Sequence, residues 1–195
     1  MKPFKDFIVS PIGDRYNNIA KVGDKSLILN TDIYNHEFVN RQASVIATPL
    51  LFSSPIKVGD EIIIHHNVFR RWNDMKGKEK NSRSYLKENH YLISPDQVYL
   101  YKRKKWNVID GYTYIKPIVS NDKMSFSAEE ELIGIVKYSD GTFDINEVVG
   151  YRPRTVVEDF VDGERLYRVM NKFITIKYGH KGNKKEYNPS WTQSG

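Results

Sequence analysis

Four short sequence elements occur twice in this chain, in the same order. Phe-Ile-Val-Ser-Pro-Ile at 7–12 returns as Thr-Tyr-Ile-Lys-Pro-Ile at 113–118. Val45-Ile46 matches Ile135-Val136, and Asp60-Glu61-Ile62-Ile63 matches Asn146-Glu147-Val148-Val149. Glu88, Tyr91, Val98 and Leu100 match Glu164, Tyr167, Ile174 and Ile176 at one constant offset. Ordered recurrence with unequal spacers is the pattern of one β-module present twice, with diverged loops. It divides the 195 residues into two domains of about 100, each large enough for its own core. The expected domains are 1–105 and 106–178, followed by a basic, flexible tail at 179–195.

The repeated elements read as strands. Helical periodicity is weak throughout, and short runs of Val, Ile, Tyr and Phe are punctuated by Gly, Asp, Asn and Pro. The first half predicts strands at 7–12, 43–48, 61–65, 91–94 and 98–101. The second predicts them at 112–118, 132–138, 147–151, 156–160, 166–170 and 173–178. The fold class is therefore all-β, and each half is expected to be a small, partly open β-barrel with its first and last strands adjacent. Asp110-Gly111, Asp140-Gly141 and Asp162-Gly163 accept the positive φ of tight turns, and the last should join two hairpin strands. Three stretches show no strand pattern: Gly13–Asn40, which is long enough to be functional or disordered, the charged Arg70–Tyr85, and Gly179–Gly195.

The chain is poor in recognisable chemistry. With no cysteine there is no disulfide, thiolate metal site or Cys nucleophile. No Walker loop, G-x-G-x-x-G, G-x-S-x-G or H-E-x-x-H occurs. His65-His66 is the only histidine cluster, and neighbours on a strand point to opposite faces, so no shared metal is expected. Glu129-Glu130-Glu131 and Glu158-Asp159 read as solvated carboxylates rather than an acid/base pair. No enzyme activity, cofactor or metal is expected. No apolar run approaches a membrane span, and the first residues lack the apolar region of a secretion signal, which predicts a soluble, cytoplasmic protein.

The net charge of +6 is unevenly spread. Residues 1–105 hold 18 Lys/Arg against 11 Asp/Glu, and 106–195 hold 12 against 13. The excess lies in Arg70–Arg83, Lys102–Lys105 and Lys177–Lys185. These are either solvated segments or the electrostatic footprint of an anionic partner such as nucleic acid. Phe69-Arg70-Arg71-Trp72 interleaves aromatics with cations, which would suit base stacking, but the expectation is that Phe69 and Trp72 cover the core.

The first half resembles the GroES family, the ring-forming co-chaperonins that cap chaperonin cages. Lys57-Val58-Gly59-Asp60 with the following apolar strand looks like that family's central motif. Phe7–Ile12 resembles its first strand, Arg41–Ala47 the strand leaving its mobile loop, and Tyr91–Tyr101 its closing hairpin. The second half resembles it more weakly, Val-Gly-Asp having become Ile145-Asn146-Glu147. Double modules of this kind resemble the tandem co-chaperonins of plastids, and the divergence is similar to that of phage-encoded versions.

The resemblance places Gly13–Asn40 at the mobile loop, and Leu27-Ile28-Leu29 at the aliphatic tripeptide that docks on the chaperonin, the alternative for these three being an ordinary edge strand in the core. The two glycines that precede that tripeptide in the family are absent here. The implied function is a co-chaperonin with a GroEL-type chaperonin as partner, assembled as a homo-oligomeric ring. The alternatives are a virion or assembly protein built on the same β-fold, and a basic nucleic-acid-binding β-barrel using Arg70–Arg83 and Lys102–Lys105.

Overall fold

The computed structural model describes residues 1–16, 19–22, 25–28, 35–120 and 129–180, with the backbone alone for 19–22, 25–28 and 36. Of the expected tail, residues 181–195 lie outside the described residues. The architecture is all-β and antiparallel, and among the described residues there is no α-helix. No helix there is long and apolar enough to cross a membrane. The chain divides into two units, Met1–Lys105 and Trp106–Gly195.

The first unit contains β1 (Phe7–Pro11), β2 (Ile19–Val22), β3 (Lys25–Ile28), β4 (Gln42–Ala47), β5 (Glu61–Ile64), β6 (Arg71–Asn73), β7 (Glu79–Asn81), β8 (Tyr85–Lys87), β9 (His90–Ile93) and β10 (Val98–Lys102). The second contains β11 (Trp106–Val108), β12 (Tyr112–Val119), β13 (Glu129–Ser139), β14 (Glu147–Tyr151), β15 (Val156–Val161), β16 (Glu164–Met170) and β17 (Ile174–His180). β-Branched residues dominate the central strands. Ile62, Ile63 and Ile64 are all fully buried, each contributing about 1.5–3 kcal/mol by leaving water.

Six strands of the first unit hydrogen-bond in the order β10-β5-β4-β1-β9-β8, and the second unit runs β17-β14-β13-β12-β16-β15. These are the same order, strand for strand. The irregularities repeat too. Ile8 faces Ala47 and Val9 faces Val45, which leaves Ile46 as a bulge. Tyr114 faces Tyr138 and Ile115 faces Val136, which leaves Lys137 in the same role. β10 slips on β5 between Val98 and Leu100, and β17 slips on β14 between Ile174 and Ile176.

The turn into the third repeated strand is also the same. The Lys57 amide donates to Asp60 Oδ2 at 2.8 Å, and the Asp144 amide to Glu147 Oε2 at 3.3 Å. The Gly59 amide donates to Val45 O and the Asn146 amide to Val136 O, at 2.8 and 2.9 Å. Gly59 has φ +89° and Asn146 φ +69°, asparagine being among the few side chains that accept this region. Two repeat pairings read from the sequence are therefore displaced by one residue. Val45 corresponds to Val136 rather than Ile135, and Asp60 to Glu147 rather than Asn146. The pairing of Tyr91 with Tyr167 stands, since Val9 faces Tyr91 and Ile115 faces Tyr167.

The expected adjacency of first and last strands is corrected. β1 lies between β4 and β9, and β12 between β13 and β16. Likewise 91–101 is no hairpin: β9 pairs with β1 and β10 with β5, joined by the 3-10 turn Pro95–Gln97. Ser94 and Gln97 cap that turn reciprocally, and Pro95 has no amide to donate. The expected hairpin at Asp162-Gly163 is present, both residues having positive φ (+50° and +78°) as a type I′ turn requires.

The second unit's core splits into one cluster around Ile115, Val136, Val149, Tyr151, Tyr167 and Val169, and another of Ile118, Ile135 and Val148. Trp106 on β11 donates to Asp162 Oδ2 at 2.8 Å. Asp159 is not a solvated carboxylate. It is 1% exposed, lies 3.2 Å from Arg168 Nη1 and accepts from Tyr114 Oη at 3.0 Å. Glu129 and Glu158 are engaged as well, both with Arg165, and Glu129 also accepts from Tyr167 Oη at 2.6 Å. Alternation along β15 and β16 puts these partners on two faces of the sheet, which adjacent carboxylates in a sequence do not reveal.

Candidate functional site

Shared topology makes the differences between the units informative. Residues 12–41 separate β1 from β4, where 120–128 separate β12 from β13. Residues 65–84 separate β5 from β8, where 152–155 separate β14 from β15. The first unit thus carries two insertions that its own fold does not need.

The first insertion leaves the sheet through a closed neck. Tyr16 and Val39 form an antiparallel bridge, and the Asn40 amide donates to Arg15 O at 2.9 Å. The buried Asn40 carboxamide spans both chain ends. Its Nδ2 donates to Ile12 O and Asp14 O, each at 2.8 Å, and its Oδ1 accepts from the Gln42 amide at 2.8 Å. A short polar side chain can replace several ladder bonds where two strands part.

The second insertion is the seat of that neck. Arg15 donates to Phe69 O through Nε and Nη2 (3.2 and 2.8 Å), and to Asn81 Oδ1 through Nη1 (2.8 Å). Tyr16 Oη accepts from the Arg71 amide at 2.8 Å, with the Arg71 guanidinium 4.7 Å from the Tyr16 ring centroid. Beneath them Arg15 lies 5.3 Å from the Tyr91 ring, which packs edge-on against Phe69 at 4.8 Å. Burial pushes the Tyr91 hydroxyl above its ordinary range, and the charge of Arg15 offsets part of that.

The stretch Arg70–Tyr85, expected to be without strands, forms the β6–β7 hairpin, with Arg71 opposite Asn81, Trp72 opposite Lys80 and Asn73 opposite Glu79. Asp74 Oδ1 accepts the Lys76 and Lys78 amides at 3.0 and 2.9 Å and builds the turn. Strands of three residues are too short to display an alternation. Phe69 belongs to the core, as core cover requires, whereas Trp72 is 46% exposed and does not.

Of the predicted docking residues, Leu27 and Ile28 fall on β3, opposite Ala20 and Ile19 of β2. Leu29 lies outside the described residues. The strands β2 and β3 correct the expectation that Gly13–Asn40 contains none. Each has four residues in a polar setting, which gives periodicity little to show.

Other candidates have structural duties. Arg103, within the basic run 102–105, donates to both Asp60 carboxylate oxygens (3.1 and 2.7 Å) and to Pro55 O (2.9 Å). His65 and His66 follow β5 rather than ending it, and their rings stack with centroids 4.3 Å apart. His65 Nδ1 accepts the Asn67 amide at 3.1 Å. Among the described residues no group of three or more His, Asp or Glu is placed to hold a metal ion. Arg15, Tyr16 and Asn40 escaped the sequence reading because nothing in the sequence marks a neck.

No protein-family model matches the chain, and no curated protein matches it.

Proposed function

We propose that this chain is a co-chaperonin of GroES type, carrying two modules per subunit and docking on a chaperonin through Leu27, Ile28 and Leu29 of the first. The observation that carries the reading is the necked insertion, present on one of two topologically identical units and holding an aliphatic run.

Strand order supports the barrel part of it. β9 and β10 stand four strand spacings apart, about 19 Å in a flat sheet. The corresponding β16 and β17 are joined through Asn171–Phe173 alone, a link that spans at most about 14 Å fully extended. A sheet with that connection curls towards a partly open barrel.

The docking energetics suit a releasable cap. Each buried aliphatic side chain contributes about 1.5–3 kcal/mol, and ordering a segment takes back about 2–5 kcal/mol. The β2–β3 pairing lowers the ordering cost by holding part of the backbone beforehand. One insertion is a weak ligand, and a homo-oligomeric ring of them becomes strong through effective concentration.

The test is one full-length variant with Leu27, Ile28 and Leu29 changed to Ser. Its melting temperature should stay within a few degrees of the parent, as surface changes do. Its co-sedimentation with a GroEL-type chaperonin and nucleotide should be lost. A stable variant that still co-sediments sinks the docking assignment, and a large fall in melting temperature makes these residues core.

A further inference from the structure

The β6–β7 hairpin has two faces with different duties, and only one is used by the fold. Arg71 and Asn81 face the neck of the first insertion, where they hold Tyr16 and Arg15. Trp72 and Lys80 stand across from each other on the other face. Trp72 Nε1 donates to Asn81 O at 3.1 Å, which fixes the indole over the hairpin while nearly half its surface stays in water. An oriented indole left half exposed on a strand of three residues adds little to a core.

The charges around it are biased. Residues 70–83 contain Arg70, Arg71, Lys76, Lys78, Lys80 and Arg83 against Asp74 and Glu79 alone. Both carboxylates are already committed. Glu79 accepts from Arg71 at 3.1 and 3.3 Å, and Asp74 binds turn amides and lies 3.7 Å from Lys80. Lys76, Lys78 and Arg83 are exposed and have no carboxylate partner among the described residues. The second unit has only residues 152–155 at this place, so the hairpin is an addition to the fold and not a requirement of it.

The geometry points to the Trp72–Lys80 face as a contact site for single-stranded nucleic acid, with a base stacked on Trp72 and the backbone phosphates met by Lys76, Lys78, Lys80 and Arg83. An aromatic face accepts any base, and flanking cations track phosphates, so recognition is strand-specific and tolerant of sequence. The site is independent of docking through Leu27–Leu29 and stands or falls separately from it.

The experiment is fluorescence anisotropy of labelled oligothymidylate and oligouridylate titrated with the full-length protein across a salt series. Binding at low salt should weaken with a log–log slope of about −2 to −3, as expected for three or four neutralised phosphates. Trp72→Ala should weaken it roughly 5- to 100-fold without changing the slope, and Trp72→Phe should restore most of it. Lys78→Gln with Lys80→Gln should flatten the slope by about 1.4 and change the melting temperature little. These two lysines are exposed, so the pair decides the matter even where Trp72→Ala disturbs the hairpin. Tighter binding of one oligonucleotide than the other still supports the site and tells which sugar it prefers. The inference is overturned by no anisotropy change at low salt, or by binding that ignores the Lys78/Lys80 pair. Loss only on Lys104→Gln with Lys105→Gln would also overturn it, as would equal displacement by polyglutamate, which would make the partner an acidic protein segment.

Discussion

In the first unit Ile8 lies opposite Leu92, and in the second Tyr114 lies opposite Arg168 at the same register. One sheet fills this place with hydrocarbon, the other with a buried phenol–carboxylate–guanidinium cluster completed by Asp159. Burial and the adjacent Asp159 hold the Tyr114 hydroxyl well above its ordinary range. The strand order, both bulges and the Asp60/Glu147 turn survive this exchange unaltered. What defines the module is thus backbone geometry at a few irregular points. The side chains between those points are interchangeable so long as each set is internally satisfied. The same comparison separates what the shared strands need from what the first unit adds, residues 12–41 standing where the second has 120–128 and residues 65–84 where it has 152–155.

The largest effect should come from breaking the ionic core of the second unit. Asp159→Ala leaves Arg168 buried beside a lost carboxylate and should cost about 3–5 kcal/mol in thermal or denaturant unfolding. Replacing Tyr114 by Phe and Asp159 and Arg168 by Leu together, which leaves no polar member of the cluster unpaired, should recover most of that loss. A cost below about 1 kcal/mol for Asp159→Ala would mean that the cluster is wet and the contrast between the units is superficial.

Next in size is a swap between equivalent strand positions. Ala43 and Gly134 occupy the same place, opposite Ile62 and Val149. A Cβ on Gly134 would lie 2.9 Å from Lys116 O and 3.0 Å from Ile115 Cδ1. Gly134→Ala should therefore cost about 1–3 kcal/mol, and Ala43→Gly only about 0.5–1 kcal/mol. Equal costs in a denaturant series would show that the two sheets approach β1 and β12 alike.

A smaller asymmetry concerns the repeated turn. Gly59→Ala forces an ordinary side chain to φ +89° and should cost about 1–2 kcal/mol. Asn146→Gly should change stability by no more than a few tenths of a kcal/mol. A neutral Gly59→Ala, measured by its melting temperature, would show that the turn can relax and does not define the module.

The smallest effect is on pH dependence, through the lowered carboxylates of Asp60 in the first unit and Asp140 in the second. Burial raises Asp60, but the Arg103 hydrogen bond, the Lys57 amide and the two positive charges outweigh it, leaving the group below its ordinary value. Burial likewise raises Asp140, and hydrogen bonds from Thr142, the Gly111 amide and Asn171 outweigh it. A folded-state pKa below the unfolded one gives stability that is present above about pH 4 and lost as pH falls through the folded value. Asp60→Asn and Asp140→Asn should each flatten the acid limb of a melting-temperature profile. An unchanged limb in both would place the acid-sensitive groups elsewhere.

The duplication was legible because Tyr91/Tyr167, Val98/Ile174 and Leu100/Ile176 keep one offset on a shared register. Two of the four matches slipped by one residue for a definite reason. The bulges at Ile46 and Lys137 interrupt period-two alternation, so apolar identity aligns the wrong neighbours. At the turn, matching Glu61 to Glu147 hid the fact that Glu147 does the work of Asp60. Sites held by backbone carbonyls stayed invisible, since Asn40 looks like any loop asparagine until Ile12 and Asp14 are seen beside it. The short strands β6 and β7 lacked the length to show a pattern, and the charges that obscured them are those that now distinguish the hairpin.

The neck at Tyr16 and Val39 makes the first insertion a replaceable cassette. Because Asn40 and the bridge close the chain just beyond the ends of β1 and β4, the β1–β4 register should not depend on what lies between residues 17 and 38. Loop closure adds only about 0.6 kcal/mol for each doubling of length. A two-residue Asn-Gly turn or a much longer foreign segment should both be tolerated there. Descendants of such a chain can change what the insertion presents, in length and in sequence, without renegotiating the sheet that carries it.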